Sequence, residues 1–483
     1  MNEGQLSAQV RRDSPWWATS EWAQADPDLT EAAASGISYH PAPLGALAPD
    51  GMYLLYGPRR VGKTVSTKRA IEQLLRDGVD PKRIVRVAAD GWKANDLGML
   101  YQHVTRVATR QLGDVSRYWF IDEITATSGE WWSVLKNLRD NTSLRSDCVV
   151  LTGSSNAGLD EAVKALAGRR GSAVRPDRAV LPMGFGDFCQ AIGSTAPAGT
   201  PLRPSQLRSR TAAQRYLELY GSLDDLSAAW QIYLDVGSYP RAVSDFHRTG
   251  EVSASFCEGL WDVIRGEAIN KNFPEAFVLG LFAGLARRLS STINIAGLAD
   301  DLGLSREALA GRMETLRRSF VIWPCYAASS LLTPDLNRQA KMYFSDPLLS
   351  RLAHLIAPGH PDPDITVRSE NGIALALART AEQIRPGSFR SAGSVMYFKP
   401  KRAEIDFVGI EPDTGVGFMP IESKYISGSW RREALTISNS IGQGVLATRD
   451  ILSVDDDDPV WAVPVCFLAY CLAPPGPATT SGS

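Results

Sequence analysis

One run of the sequence, Gly57-Pro58-Arg59-Arg60-Val61-Gly62-Lys63-Thr64-Val65, has the composition and spacing for phosphate chemistry. Glycines at 57 and 62 let the backbone turn its N–H groups inward around phosphate oxygens, where a side chain would obstruct them. A helix starting at the phosphates adds unpaired N–H groups and the positive end of its dipole. Lys63 is expected to reach the β- and γ-phosphates, and the Thr64 hydroxyl to ligate magnesium. All nine residues are therefore expected to line the site, with ATP and Mg as cofactors. A second run, Tyr118-Trp119-Phe120-Ile121-Asp122-Glu123, is an apolar strand ending in two carboxylates. Asp122 is expected to hold the magnesium, and Glu123 to orient or deprotonate the attacking water. Alone, the pair could be two solvated acids; both runs together, in this order, argue otherwise. A later strand ends in Gly153-Ser154-Ser155-Asn156, so Ser154, Ser155 or Asn156 could sense the γ-phosphate. Arg169 and Arg170 offer guanidinium groups for transition-state charge, and an ordinary solvated loop explains them equally well.

A second constellation lies near the C-terminus. In Ala403-Glu404-Ile405-Asp406-Phe407 the alternation puts Ile405 and Phe407 on one face, Glu404 and Asp406 on the other. In Ile421-Glu422-Ser423-Lys424, Glu422 and Lys424 share a face. Antiparallel pairing across the turn at 413–417 would bring Asp406 to Glu422 and Lys424. Two acids and a lysine suit metal-dependent phosphodiester cleavage: the acids hold Mg²⁺, and the lysine steadies hydroxide or developing charge. Alternating charges on an exposed sheet face look identical. Upstream, Glu370 is expected to open a helix with Ile373, Leu377 and Ile384 along one side. Lys399, Lys401, Arg402, Arg431 and Arg432 cluster in sequence about these acids and could meet a phosphate backbone.

The elements that must position these groups follow from periodicity. Strands are expected at 52–56, 83–88, 118–124, 148–152 and 179–183, alternating with helices as in a parallel α/β sheet. The helix after the glycine run buries Ala70, Ile71, Leu74 and Leu75, and Gly78 ends it. Trp16, Trp17 and Trp22 precede this sheet in a lead-in expected to pack its aromatics against it. Residues 291–327 have helix-turn-helix form. Ser305 would be an N-cap, and Leu309, Met313, Leu316 and Phe320 a buried stripe, followed by a wing strand from Val321 to Cys325. Arg306, Arg312, Arg317 and Arg318 lie off the stripe, either for DNA phosphates or as the solvated face of a connector.

Bulk properties bound the partners. Against 51 Lys and Arg stand 53 Asp and Glu, a net charge of −2, which excludes a globally basic nucleic-acid coat. Six cysteines form no C-x-x-C pair, so they read as reduced core residues of a cytoplasmic protein. No apolar run approaches the roughly 18 residues that span a bilayer.

The segments GPRRVGKT, YWFIDEI, EWWSVLKNLRDN, VVLTGSS, LAGRRGS, LPMGFGDF, YLDVGSYPRAV, MYFSDPLL, RSENGIALAL and AEIDFVG with MPIESKY resemble, in collinear order, a prokaryotic family. It is the family of AAA-type ATPases that carry a C-terminal domain of unknown function, and the resemblance spans most of residues 50 to 450. Gly237-Ser238 departs from the family's usual Gly-Gly, and Ser423 stands where valine is frequent. The resemblance implies ATP hydrolysis, a helical and winged-helix middle, and a C-terminal fold similar to restriction endonucleases. In that superfamily the D…E-x-K pattern of Asp406, Glu422 and Lys424 is catalytic, and a helix acid at the place of Glu370 often joins the metal ligands. The expected plan is an α/β P-loop NTPase sheet, a helical and winged-helix connector, and a restriction-endonuclease-like α/β domain. Its bounds are a lead-in at 1–45, ATPase at 46–192, helical region at 193–276, winged helix at 277–330, nuclease-like domain at 331–472 and disordered tail at 473–483. The function expected is ATP hydrolysis coupled to a DNA-associated, nuclease-like domain. One alternative is a nucleotide-dependent switch or assembly protein with a silent C-terminus; another is a winged-helix DNA-binding regulator. The partners this admits are ATP, DNA and further copies of the chain in a homo-oligomer, without a membrane.

Overall fold

A computed structural model describes residues 1–39, 44–112, 115–155, 158–268, 275–400 and 403–473. Asn156, Lys401, Arg402 and the expected tail beyond 473 lie outside the described residues. The chain divides into two units, Met1–Gly36 with His40–Leu181, and Ile37–Tyr39 with Pro182–Ser483.

In the first unit five short strands form one parallel sheet: β1 (Met52–Tyr56), β2 (Ile84–Ala88), β3 (Tyr118–Asp122), β4 (Cys148–Gly153) and β5 (Asp177–Ala179). Their spatial order is β2-β3-β4-β1-β5. β1, β3 and β4 are buried along their whole length, as strands covered on both faces must be, which is why they read as continuous apolar runs. The third strand stops one residue before Glu123, whose φ of +52° breaks the ladder. The fifth lies earlier than the expected 179–183. Register with β1 ends at Tyr56↔Ala179, because the chain of β1 turns away at Gly57.

β2 is an edge strand, and the lead-in covers it. The Gln9 side-chain amide donates to Ala88 O (2.7 Å), and Asp13 Oδ2 accepts from Ala88 N (3.1 Å). Ser14 Oγ accepts from Arg86 N and donates to Arg86 O, at 2.9 and 3.1 Å. The indole N–H groups of Trp16 and Trp17 both donate to Ile84 O, and Trp16 is buried. Side chains thus satisfy the backbone groups that an open edge would offer to another chain.

The second unit holds a mixed sheet of eight strands among its described residues. They are β6 (Ile322–Ala328), β7 (Pro334–Asp335), β8 (Lys341–Phe344), β9 (Val395–Phe398), β10 (Ile405–Gly409), β11 (Ile421–Ser423), β12 (Gly444–Thr448) and β13 (Val460–Pro464). The order is β13-β12-β11-β10-β9-β6-β7, with β8 also on β6. The helix Trp430–Ser440 packs Trp430, Ala434 and Ile437 against Met396, Ile405, Val408 and Leu446.

Ahead of this sheet stand the helices Ile295–Asp301 and Arg306–Arg318; Ser305 Oγ caps the second by accepting from Ala308 N (3.1 Å). Leu309, Met313, Leu316 and Phe320 are all buried. The strand expected as a wing does more than form a hairpin. β6 pairs antiparallel with β8 over its first half; over its second it pairs antiparallel with β7 and parallel with β9. The expected boundary at 330 therefore falls between strands of one ladder system. Likewise the helix Phe185–Ala191, expected with the ATPase domain, lies in the second unit. There the Phe185 ring meets Trp230 edge-on at 4.9 Å.

Ser238 explains one departure from the resembling family. Asp346 caps the helix Pro347–Ile356 by accepting from Leu348 N (2.9 Å), and its other oxygen accepts from Ser238 N and Oγ at 2.9 and 2.6 Å. Burial pushes the Asp346 carboxyl up to about 6, against those hydrogen bonds. With its folded value raised, its contribution to stability is complete below the unfolded carboxylate range and is lost as pH rises through about 6. Ser238→Ala removes a donor that matters most to the ionised form. It should cost about 2 kcal/mol at pH 7.5 and clearly less at pH 5, read by urea unfolding at both values; equal losses would refute the assignment.

Candidate functional site

The glycine-rich loop joins the buried end of β1 to the helix Lys63–Arg76. Gly57 has φ +151°, and a Cβ there would stand 2.0 Å from Val180 O, so no side chain fits where β1 and the segment after β5 close together. Gly62, at φ +93°, is the N-cap residue, and Lys63 is the first helical residue. Pro58 and Val61 are buried and hold the loop down, Arg59 and Val65 are half-buried, and Arg60 is exposed with φ +64°. Lys63 Nζ folds back to donate to Gly57 O (2.9 Å) and Pro58 O (2.8 Å). In this form the ammonium braces the loop it is expected to share with phosphate.

Strand order decides what faces the loop. β4 lies between β1 and β3, so Thr152 near its end stands between the loop and Asp122. Asp122 accepts from the Thr64 hydroxyl (3.0 Å), from the Thr152 hydroxyl, and from an Arg86 guanidinium nitrogen (2.7 Å). Burial alone would raise its pKa. The Arg86 charge and these three donors outweigh it and hold the carboxyl below its usual range. A hydroxyl and an ionised carboxylate side by side at the mouth of an amide-rich loop are a donor set that suits Mg²⁺.

Glu123 adopts a left-handed backbone, a conformation that costs a non-glycine residue about 1 kcal/mol. Two contacts hold it: its N–H donates to Thr152 Oγ1 (3.0 Å), and Oε2 accepts from Ser154 Oγ (2.7 Å). Ser154 thus touches the expected water-positioning acid. Asp90, past the end of β2, belongs to the same electrostatic neighbourhood. Burial and the Glu123 charge push its carboxyl up, and Arg59 opposes them. Sequence reasoning missed Arg86, Thr152 and Asp90; for Thr152 and Asp90 the signal available was their place at or just past a strand end, while Arg86 lies in the middle of β2.

Arg169, a candidate for transition-state charge, is engaged elsewhere in this form. Its guanidinium is paired with both oxygens of Asp140, at 2.6 and 2.8 Å, and its carbonyl accepts from Arg139. Arg139 also reaches Asp50 O, just before β1 begins. Arg170, whose carbonyl accepts from Met52 N, is paired with Asp177 (2.6 Å). Both arginines therefore stand at the start of the parallel strands, the end opposite the loop.

In the second unit the structure brings together Glu370, Asp406, Glu422 and Lys424. Phe407 pairs with Ile421 across antiparallel β10 and β11, which sets Asp406 beside Glu422. Asp406 N donates to Glu422 Oε2 (3.3 Å), Ser423 N donates to Asp406 Oδ2 (2.9 Å), and Lys424 Nζ lies 2.9 Å from Glu422 Oε1. The simple alternation expected for β10 fails, because a bulge lies between Ile405 and Val408. Ile405 and Val408 therefore join the apolar cluster, while the Phe407 ring meets Tyr343 at 6.0 Å. Glu370 does not open its helix. The helix runs Ile365–Ile384 from an Asp364 cap, and Glu370 lies buried in its second turn. Burial, followed by the Asp406 charge, pushes both Glu370 and Glu422 up to about 7.

The residue that sequence reasoning missed here is Lys341, the first residue of β8. Its fully buried ammonium lies 2.9 Å from Asp406, 2.9 Å from Glu404 and 3.2 Å from Glu370. Tyr343, two residues on, donates to Glu370 Oε1 (2.6 Å). Of the basic residues expected to surround the acids, Lys399 is paired with Glu404 (3.0 Å) and Arg431 with Asp458 (3.4 Å). Arg317 and Arg318 are both engaged by Glu314, at 2.7 and 2.8 Å. All six cysteines are buried and unbridged, and no described helix is long and apolar enough to cross a membrane.

Residues 50–189 match a protein-family model described as an AAA domain. No curated protein matches the chain. Among solved structures it is similar to Cdc6p from Pyrobaculum aerophilum at 14% identity, covering 67% of this chain and 97% of that one with a TM-score of 0.25. A RuvB variant from Thermotoga maritima matches at 13% identity over 56% of this chain and 81% of that one, with a TM-score of 0.25. Hsp104 from S. cerevisiae, in a complex with casein, matches at 14% identity over 62% and 51%, with a TM-score of 0.24.

Arg86 gives the site its prediction. Arg86→Gln leaves Asp122 buried without a cation, which should cost the nucleotide-free protein about 2 kcal/mol. Saturating Mg-ADP supplies a replacement charge, so the deficit in melting temperature should shrink in its presence. A deficit unchanged by Mg-ADP would mean that Arg86 serves the fold alone.

Proposed function

We propose that the AAA-type P-loop ATPase domain at residues 50–189 binds ATP with Mg²⁺, hydrolyses it, and uses its nucleotide state as a switch on the second unit. One observation carries this reading. The Thr64 hydroxyl lies 3.0 Å from the Asp122 carboxylate, although the two residues are 58 positions apart in sequence. Bound there, the metal would neutralise phosphate charge. The chain's own groups do the rest. Loop amides and Lys63 bind the phosphates, Glu123 orients the attacking water, and Ser154 restrains Glu123 until substrate is present.

For the second unit, the reading of a catalytically silent domain is favoured over DNA cleavage, because the Lys341 ammonium pairs with Glu370 and Asp406, two of the three acids expected to hold metal. The engagement of Arg317 and Arg318 by Glu314 supports the connector reading over that of a DNA-binding regulator. Nucleotide-driven self-assembly fits the switch; so does a change in how the second unit meets a partner.

The test is steady-state ATP turnover by the full chain with Mg²⁺, beside fluorescent-ADP binding and incubation with DNA. Lys63→Ala should lose nucleotide affinity. Glu123→Gln should bind nucleotide normally and turn over slower by about 10²–10⁴-fold. Normal turnover in either variant would sink the assignment, and DNA cleavage lost on Lys424→Ala would reinstate the nuclease.

A further inference from the structure

Four carboxylates gather in the second unit, and backbone pairing explains why a lysine is forced among them. Lys341 is paired on both sides, with Cys325 of β6 and with Thr292. Its side chain therefore projects from the sheet face, and it has 0% exposure. Nζ has three protons to donate, and three carboxylates lie within 3.2 Å, from Glu370, Glu404 and Asp406. The Tyr397 ring centroid lies 5.7 Å from the same nitrogen. Burial alone would pull the ammonium pKa down. The charges of Asp406, Glu370 and Glu404 reverse that and raise it, which favours the ammonium form.

A divalent ion shared by these acids would need their oxygens at roughly 2.0–2.6 Å from one centre. Nζ occupies the point on which the three converge. Among the described residues no group of three or more His, Cys, Asp or Glu side chains is disposed to hold a metal ion. With Lys341 on Glu370 and Asp406, and Lys424 on Glu422, all three acids that the resemblance implied as metal ligands are already answered by ammonium groups, so the residues as arranged do not fit a divalent ion.

We propose that Lys341 is the resident cation of this cluster, so that the wild-type chain takes no divalent ion there and replacing the lysine opens a latent Mg²⁺ or Mn²⁺ site on Glu370, Glu404 and Asp406. Charge balance makes the exchange specific. Without the ammonium, the buried carboxylates of Glu370 and Asp406 and the half-buried one of Glu404 face one another, and binding a hard dication is the way to keep them ionised. The inference deepens the silent-domain reading, but it rests on this cluster alone. Failure of ATP hydrolysis would leave it standing, and the reverse holds too.

The experiment counts Mn²⁺ bound to the nucleotide-free full chain, by the electron paramagnetic resonance of free Mn²⁺. Wild type and Asp406→Asn should bind equal numbers, whereas Lys341→Met should bind one more ion than wild type, lost again in Lys341→Met/Asp406→Asn. Lys341→Met should also melt at a higher temperature with Mn²⁺ than without, and wild type should show no gain that Asp406→Asn abolishes. An ion lost from wild type on Asp406→Asn would overturn the proposal. So would a cooperatively folded Lys341→Met with no added ion. Should Lys341→Met not fold, the wild-type comparison with Asp406→Asn, or with the rim variant Glu404→Gln, still decides: equal counts uphold the resident cation, and a lost ion refutes it.

Discussion

A carboxylate withdrawn from water must be met by a cation, and each unit of this chain is arranged around one instance of that demand. In the first, Asp122 is buried at the end of β3 and Arg86 reaches across from the adjacent edge strand, 2.7 Å away. In the second, Glu370, Glu404 and Asp406 converge on Lys341. The two solutions differ in how readily they can be exchanged. One half-buried arginine of an edge strand answers one carboxylate, beside a loop that can supply another charge with its ligand. A lysine sealed from solvent answers three, held by β6 on one side and by a bridge to Thr292 on the other.

The first arrangement extends well beyond the site. Arg86 has its place because Ser14 binds both its backbone N–H and its carbonyl, and because Gln9, Asp13, Trp16 and Trp17 hold the rest of β2. The lead-in is therefore part of the machinery that positions Asp122. Close by, Lys68 of the loop helix is buried against Asp26 and Asp28, which fastens the helix that begins at Lys63. Strand order does the remaining work, since β4 inserted between β1 and β3 puts Thr152 in contact with both Asp122 and Glu123. Two acids adjacent in sequence are thus separated in role, one ionised by its donors and the other held on a strained backbone.

The sequence by itself determined the local chemistry. Gly57 and Gly62 with Lys63 and Thr64, an apolar strand ending at Asp122, and the Ser305 cap with its buried stripe are legible because short-range geometry fixes each of them. Pairing of Asp406 with Glu422 was legible too, since a turn between two short strands leaves one antiparallel register that keeps the apolar residues inside. Only the tertiary structure decided which charges meet. Lys341 is 29 residues from Glu370 and 65 from Asp406, and Arg86 is 36 from Asp122, so no periodicity links them. Arg169 and Asp140 are 29 residues apart, and only the fold pairs them at the end of the parallel sheet opposite the loop. The bulge in β10 shifted Phe407 and Val408 by one position, because an extra residue in one strand is invisible until its partner is known. Local patterns record what each residue can do; the cation that answers a buried acid depends on folding distant strands together, and a single chain does not write that down in any one segment.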